Sequence, residues 1–414
     1  MSCLDCSCAC SRIVELATTP DVRIGPSDAA YQPLSRTKSE SFALELQGSM
    51  SMVSFQPSTD SYDVWSHLGS VCGGLGSVRI AKHKAAHNTQ LAVKIYELDK
   101  CQDELELIQH EISTVRKLRH PNIIHYLTSF ITGQQLWVIM PLMGYFSASR
   151  LVASHFPEGL PEQALALVIK DVLQGMIYLH SRGIIHRSIR GSHILVDSNG
   201  RCVLSGLRHC TSVMDAVRWH KAVHSYPAQA AFNLNWASPE LLEQDLMGYT
   251  EKSDIYSLGI TICELGNGEV PYSSIPSTLM LVEKLEGRIP FLYDASTTQL
   301  FLENGQGFGG DSGVGGSVGD NMTNMAYTHR QFSQWSHDFV YLCLTREPEH
   351  RLSAQQCLQH QFIRQTRKLN ASLPHLLHPV VPLTQQAESG DTDADLLETN
   401  LEQLNMNEDF MWDF

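Results

Sequence analysis

The sequence has no apolar run near the roughly 20 residues that a membrane-spanning helix requires, so no membrane span is expected. Positive charge is scarce: 30 Lys and Arg stand against 44 Asp and Glu, a formal net charge of −14. A nucleic-acid binder gathers basic residues on one face or stretch; nothing of that kind is present, and no nucleic-acid partner is expected. Beyond Lys368 there is no Lys or Arg, while Glu388, Asp391, Asp393, Asp395, Glu398, Glu402, Glu408, Asp409 and Asp413 follow. A stretch of one charge repels itself, so a solvated, flexible tail is expected there. The opening residues, Met1 to Arg12, lack the basic start and apolar stretch of a secretory signal. Cysteine is not scarce, but its 11 residues are odd in number and scattered, which excludes a secreted disulfide framework and predicts reduced thiols. Cys3, Cys6, Cys8 and Cys10 lie close enough to bind a metal or carry palmitate, yet no nearby His or Cys pair completes a zinc spacing. The expectation is an unmodified tail and no metal.

What is present suffices for a sizeable core. Hydrophobic residues make up 43% of 414 residues, and that length holds one domain of roughly 250–300 residues with tails, or two smaller domains. Residues 1–57 are rich in Ser, Thr and Pro without a lasting period, and read as a disordered tail. GSVRIAK (76–82) and QLAVKIY (90–96) alternate like paired strands, with His87 and Asn88 in the turn. Residues 103–119 carry Leu105, Ile108, Ile112, Val115 and Leu118 at helical spacing. LWVIM (136–140) reads as a buried strand, and Leu160 to His180 as a long helix opened by Pro161 and Glu162 and closed by Gly183. Residues 253–266 are apolar all round, the pattern of a helix buried in a core. Residues 297–330 turn Gly-, Ser- and Asn-rich and read as a flexible insertion, after which helical patterns run from Gln334 to about Gln365. A strand-rich lobe followed by a larger helical lobe fits this order, but periodicity alone does not separate it from other α+β folds.

Six motifs narrow the choice. LAVKIY (91–96) resembles the protein-kinase strand that carries a phosphate-binding lysine, and HEISTVRKL with RHPNII (110–124) resembles the helix holding that lysine's glutamate partner. IIHRSIRGSHILV (184–196) resembles the catalytic loop, and WASPELL (236–242) the end of the activation segment. SDIYSLG (253–259) and REPEHRLSA (346–354) complete an ordered set over about 300 residues. HRSIRGSHIL, LSGLR (204–208), KSDIYS and a terminal Trp-Asp-Phe together resemble the STRAD pseudokinase adaptors of the sterile-twenty-like kinase group, and the start MSCLDC is more like the beta form. The resemblance implies an α+β, bilobal protein-kinase-like fold, with a small β-rich lobe over about 58–140 and a larger helical lobe over about 144–366. The tail would then begin at 367.

Kinases need few groups, and each has a task. The resemblance places Ser188 where a catalytic-loop Asp accepts the substrate proton; a serine is no carboxylate base near neutral pH. It places His193 where an Asn binds magnesium, a poor ligand for a hard cation. It places Gly206 where the principal magnesium carboxylate belongs, and glycine offers no side-chain oxygen. Each loss removes on the order of 2–4 kcal/mol of transition-state stabilisation, so no catalytic residue and no metal are expected. The alternative is an atypical active kinase with a displaced base such as Asp197 or Asp215, which must meet positional tolerances of about an ångström.

The same resemblance implies a better-kept nucleotide site. Lys94 and Glu111 are the expected ion pair for the α- and β-phosphates. The glycine-rich loop between Gly69 and Val78 has too many residues for the usual spacing; either Val71 takes the second glycine position or Gly73 and Gly76 pair. Met140 is the expected gatekeeper. Pro141, which keeps its C=O, and Met143, which can donate its N–H, suit adenine, between Val78 and Ala92 above and Leu195 below. Arg208, with His193 and Arg190, is a candidate to replace the metal by a fixed cation, so that ATP binds without magnesium. Glu240 and Arg351 match a buried structural ion pair, and Asp254 the residue that fixes the catalytic-loop backbone. The resemblance further implies a serine/threonine kinase partner, liver kinase B, and a HEAT-like scaffold of the calcium-binding protein 39 type that receives Trp412, Asp413 and Phe414. Cytoplasmic and nuclear residence is implied with them. A scaffold that binds no nucleotide at all is a third possibility.

Overall fold

The structure, a computed structural model, describes residues 55–386 apart from 72–73, 86–88, 215–219, 227–232, 298–326 and 328. The chain divides between Leu142 and Met143 into two compact units. The first is built on a five-stranded antiparallel sheet: β1 (Tyr62–Val71), β2 (Gly76–His83), β3 (Thr89–Glu97), β4 (Thr128–Thr132) and β5 (Gln135–Pro141), in the order β1-β2-β3-β5-β4. β2 and β3 follow the alternation read from the sequence; their turn residues His87 and Asn88 lie outside the described residues. β1 has irregular pairing between Val64 and His67 and again before Gly69, which breaks the strict period of two and hides the strand from a periodicity reading.

The pleat sorts side chains into two faces. Ala81, Leu91, Val93, Ile95, Trp137 and Ile139 form a core with Tyr62 and Phe130. Val78 opposite Lys94, Ala92 opposite Met140, and Lys94 opposite Val138 share the other face. Helix α1 (Leu105–Lys117) buries Leu105, Ile108, Glu111, Ile112 and Val115 as one stripe, so Glu111 points inward because of its register among apolar neighbours.

The second unit is helical. Its elements are α2 (Ala148–His155), α3 (Glu162–Ser181), α4 (Pro239–Leu242), α5 (Lys252–Asn267), α6 (Ser277–Leu285), α7 (Gln334–Leu344), α8 (Ala354–Gln359), α9 (Gln361–Arg364), α10 (Leu373–Leu376) and α11 (Leu383–Gln386). Short strands β6 (Ile184–Ile185) and β9 (Thr211–Ser212) pair, as do β7 (Ile194–Val196) and β8 (Cys202–Leu204). α5 is buried on all sides from Ser253 to Asn267, as its all-round apolar sequence requires. It stops at Gly268, φ 85°, where any Cβ would meet the Pro157 carbonyl oxygen at 2.0 Å.

Three boundaries differ from the sequence expectation. Phe55 already packs against the sheet core, so folded chain begins before 58. The insertion is narrower than 297–330: Thr297 donates its N–H to Asp294, and Arg330 Nε–H donates to the Tyr293 carbonyl at 2.8 Å. The chain also stays folded past 366, with Leu373, Leu377 and Leu383 buried. Leucines spaced across 373–383 carry that packing, and a reading led by charge passes over them. No helix among the described residues is long and apolar enough to cross a membrane. Six described cysteines are buried and free of disulfides.

Candidate functional site

In the first unit, β3 and α1 bring Lys94 and Glu111 together with Nζ 3.4 Å from Oε1; the two are only 2% and 1% exposed. A third group joins them. The Tyr126 hydroxyl donates to Glu111 Oε1 at 2.7 Å and lies 3.5 Å from Lys94 Nζ. The carboxylate is thus shared, and its shorter bond goes to the phenol. Sequence reasoning misses Tyr126, because its approach to α1 is made by the fold and not by any spacing.

Gly69 and Gly76 lie within the paired strands, Gly69 opposite Val78 and Gly76 opposite Val71. Gly76 has a structural cause: a Cβ there would lie 2.3 Å from the Ile95 carbonyl oxygen of β3. Val71 is fully buried. Cys72 and Gly73 lie outside the described residues. Val78, Ala92 and Met140 are buried, and Pro141 ends β5 opposite Leu91.

The second unit holds the loop that runs from His186 to His193. Asp254 of α5 anchors it: Oδ2 accepts the His186 N–H and Oδ1 the Arg187 N–H, each at 2.8 Å, while His180 Nε2 lies 2.9 Å from Oδ2. Burial alone would raise the Asp254 carboxyl, but the hydrogen bond and charge of His180, with the His186 ring and N–H, outweigh it and hold the carboxyl below its usual range. Arg187 has a left-handed backbone, φ 63°. His186 Nδ1 accepts the Ser188 N–H at 3.2 Å, so Nε2 carries the proton that it donates to the Ser205 carbonyl at 2.9 Å.

Ser188 is 1% exposed and its Oγ has no hydrogen-bond partner. Five residues on, His193 Nδ1 donates to the Ser188 carbonyl at 2.6 Å, and Nε2 accepts from Arg190 Nη2 at 3.2 Å. The Arg190 guanidinium lies over the Trp236 ring, 5.6 Å from its centre. Glu264, which the sequence did not single out, accepts the Gly191 N–H at 3.0 Å and the Trp236 indole N–H at 2.8 Å. Burial pushes its carboxyl up against these partners. Asp254 and Glu264 are therefore engaged by loop N–H groups, His180 and Trp236.

Magnesium, which a kinase fold implies, needs several oxygen ligands. Ser188, His193 and Gly206 offer one hydroxyl among them, and no three His, Cys, Asp or Glu gather among the described residues. The residues do not fit the ion. Asp197, the candidate rescue base, accepts the Asn199 and Arg201 N–H groups at 2.9 and 2.8 Å and closes the β7–β8 turn. Asp215 lies outside the described residues.

Met143, Leu195, Arg208, Glu240 and Arg351 are in the second unit. The Met143 carbonyl accepts the Phe146 N–H at 3.0 Å. Leu195 is buried in β7 opposite Val203. Arg208 is 8% exposed in the turn Leu207–His209. Glu240 and Arg351 form the expected ion pair, bidentate at 2.7 and 2.8 Å. Trp412, Asp413 and Phe414, like Cys3, Cys6, Cys8 and Cys10, lie outside the described residues.

A sheet-borne lysine answered by a helical glutamate, and a His-Arg loop hung from a buried aspartate, are the working parts of a protein-kinase domain. The family model for the protein kinase domain matches residues 62–363. Mouse STE20-related kinase adapter protein alpha is 38% identical over 379 residues, covering 88% of this chain and 86% of that protein. Human STE20-related kinase adapter protein beta is 40% identical over 319 residues, 74% of this chain and 76% of that protein, and the mouse beta form is 37% identical over 89% and 90%. The chain belongs to this STE20-related kinase adapter, or STRAD, family. Identity to the alpha and beta forms is nearly equal.

Proposed function

We propose that the chain is a catalytically inactive pseudokinase that serves as an adaptor for a serine/threonine kinase. One observation carries this: the three positions that need oxygen ligands and a base hold Ser188, His193 and Gly206, and the carboxylates nearby are already bound within the loop. The structural pairs, Asp254 with the loop and Glu240 with Arg351, are intact. A chain that keeps the shape and drops the chemistry is suited to act by binding. The relatives' name, kinase adapter, supports the same role.

The partner is liver kinase B, which the chain engages as a pseudosubstrate and whose active state it favours. Such activation is limited by the difference in affinity for the partner's active and inactive states. Trp412 and Phe414, with the charge of Asp413, engage a calcium-binding protein 39-type scaffold. ATP binds without magnesium, with Lys94 toward the α- and β-phosphates and Arg208 supplying a fixed cation. No observation favours displaced-base catalysis, since Asp197 is engaged in a turn.

The test is reconstitution. Full-length chain mixed with purified liver kinase B and the scaffold should raise the partner's phosphorylation of a peptide, and deletion of Trp412–Phe414 should abolish scaffold pull-down. Unchanged partner activity across the titration would defeat the adaptor role. For the nucleotide, ATP should raise the melting temperature equally with magnesium and with EDTA; loss of the shift in EDTA would defeat metal-free binding.

A further inference from the structure

The departure at the metal positions is more than a loss of ligands, because one departure fills the space of the other. Gly206 has a left-handed backbone, φ 75°, and a Cβ built on it would lie 2.5 Å from both Cγ and Nδ1 of His193. Real Cβ atoms do not approach ring atoms so closely, and a metal-binding carboxylate at 206 would have to begin from that Cβ. The imidazole stands where such a side chain would start.

Nor is the ring free to swing aside. A carbonyl oxygen cannot donate, so the 2.6 Å contact from Nδ1 to the Ser188 carbonyl fixes the proton on Nδ1. That leaves Nε2 as the acceptor for Arg190 Nη2 at 3.2 Å, and the ring is held at both nitrogens. The His193 backbone is held as well: its carbonyl accepts the Ser205 N–H at 2.8 Å and the Ser205 hydroxyl at 3.1 Å. Ser205 adjoins Gly206, so the two halves of the contact are tied together at the backbone. His193 is 4% exposed, and burying an imidazole with both nitrogens satisfied fits a settled internal position.

We propose that His193 and Gly206 are an interlocked pair: the imidazole is a built-in occupant of the metal-ligand space, and glycine is the residue at 206 that leaves room for it. This rests on the reading that the chain performs no metal-dependent transfer, and adds that the metal site is blocked sterically. Restoring a ligand at 206 while His193 remains cannot rebuild the site; position 193 must change first.

The test is a double-mutant cycle on the full chain, read by urea unfolding followed by circular dichroism. The members are wild type, Gly206→Ala, His193→Ala and the double variant. The left-handed backbone costs Gly206→Ala about tenfold in the folding equilibrium in either background. The interlock adds a further hundredfold or more in the wild-type background only, so the double variant is more stable than the two single effects predict. If Gly206→Ala alone does not fold, recovery of soluble, cooperatively unfolding protein on adding His193→Ala supports the interlock, and no recovery overturns it. Additive effects within threefold also overturn it. Phosphate transfer by the wild-type chain would instead sink the underlying reading while leaving the coupling measurable.

Discussion

Lys94, Glu111 and Tyr126 show how little of a buried charge pair is set by the pair itself. Removing a lysine and a glutamate from water is costly, and the attraction returns that cost only when the remaining hydrogen-bonding groups are satisfied. Here the Tyr126 hydroxyl, 2.7 Å from the carboxylate, does part of that work, while the ammonium stands at 3.4 Å. Tyr126→Phe should destabilise the chain by about 1–2 kcal/mol, the usual cost of stranding a buried acceptor, measured by urea unfolding; no change would mean the phenol is incidental. Lys94 and Glu111 were legible in the sequence because LAVKIY and HEISTVRKL resemble the kinase strand and helix that carry such a pair. Tyr126 was not, since an aromatic near a strand is ordinarily core.

Asp254 makes a second prediction at the residue scale. Its folded-state carboxyl lies below the ordinary range, so the unfolded chain binds the proton more readily than the folded one. Its contribution is complete above the ordinary carboxylate pKa of about 4 and is lost as pH falls through the lower folded value. Urea midpoints measured from neutral pH into acid should fall, and Asp254→Asn, already weaker at neutral pH, should show a shallower fall. A slope identical to wild type would mean that Asp254 is not charged in the fold.

At the scale of elements, the chain beyond 366 is the main surprise. The kinase-domain match ends at 363, yet α10 and α11 continue the fold. The Leu383 N–H donates to the Gly144 carbonyl at 3.0 Å, and the Thr384 hydroxyl donates to Ser198 Oγ at 2.7 Å. Gly144 admits this strap only because it lacks a side chain: a Cβ there would lie 2.2 Å from Ser198 Oγ and 3.0 Å from Pro382 Cβ. Gly144→Ala should therefore cost about 1–3 kcal/mol through overpacking and speed hydrogen exchange at the Leu383 amide; exchange unchanged at that amide would show the strap is not held there.

Elements with an unbroken period were legible, as in β2, β3, α1 and α3, and α5 was legible from its all-round apolar run. Those whose period is broken were not: β1 carries two irregularities, and 373–386 mixes short helices with Pro374, Pro379 and Pro382. The insertion was read too wide because Asn- and Thr-containing flanks look like loop, whereas Thr297 and Arg330 are in fact fastened to Asp294 and Tyr293.

Across the whole molecule the pattern is one of selective retention. Glu240 with Arg351, Asp254 with the loop, and Lys94 with Glu111 preserve what a kinase needs to hold its shape. In the proposed reading, Ser188, His193 and Gly206 stand where a kinase carries the groups that move a phosphoryl group. The sequence points to these positions through the motif resemblance, whose order sets the register. That His193 packs into the space beside Gly206 was not, since it depends on a left-handed glycine that no spacing reveals.

The most direct measurement is incorporation of phosphate from γ-labelled ATP by the purified full-length chain, with magnesium or manganese, into itself and a generic substrate, beside Lys94→Met. The account predicts equal background for both proteins. Incorporation that depends on Lys94 would contradict it.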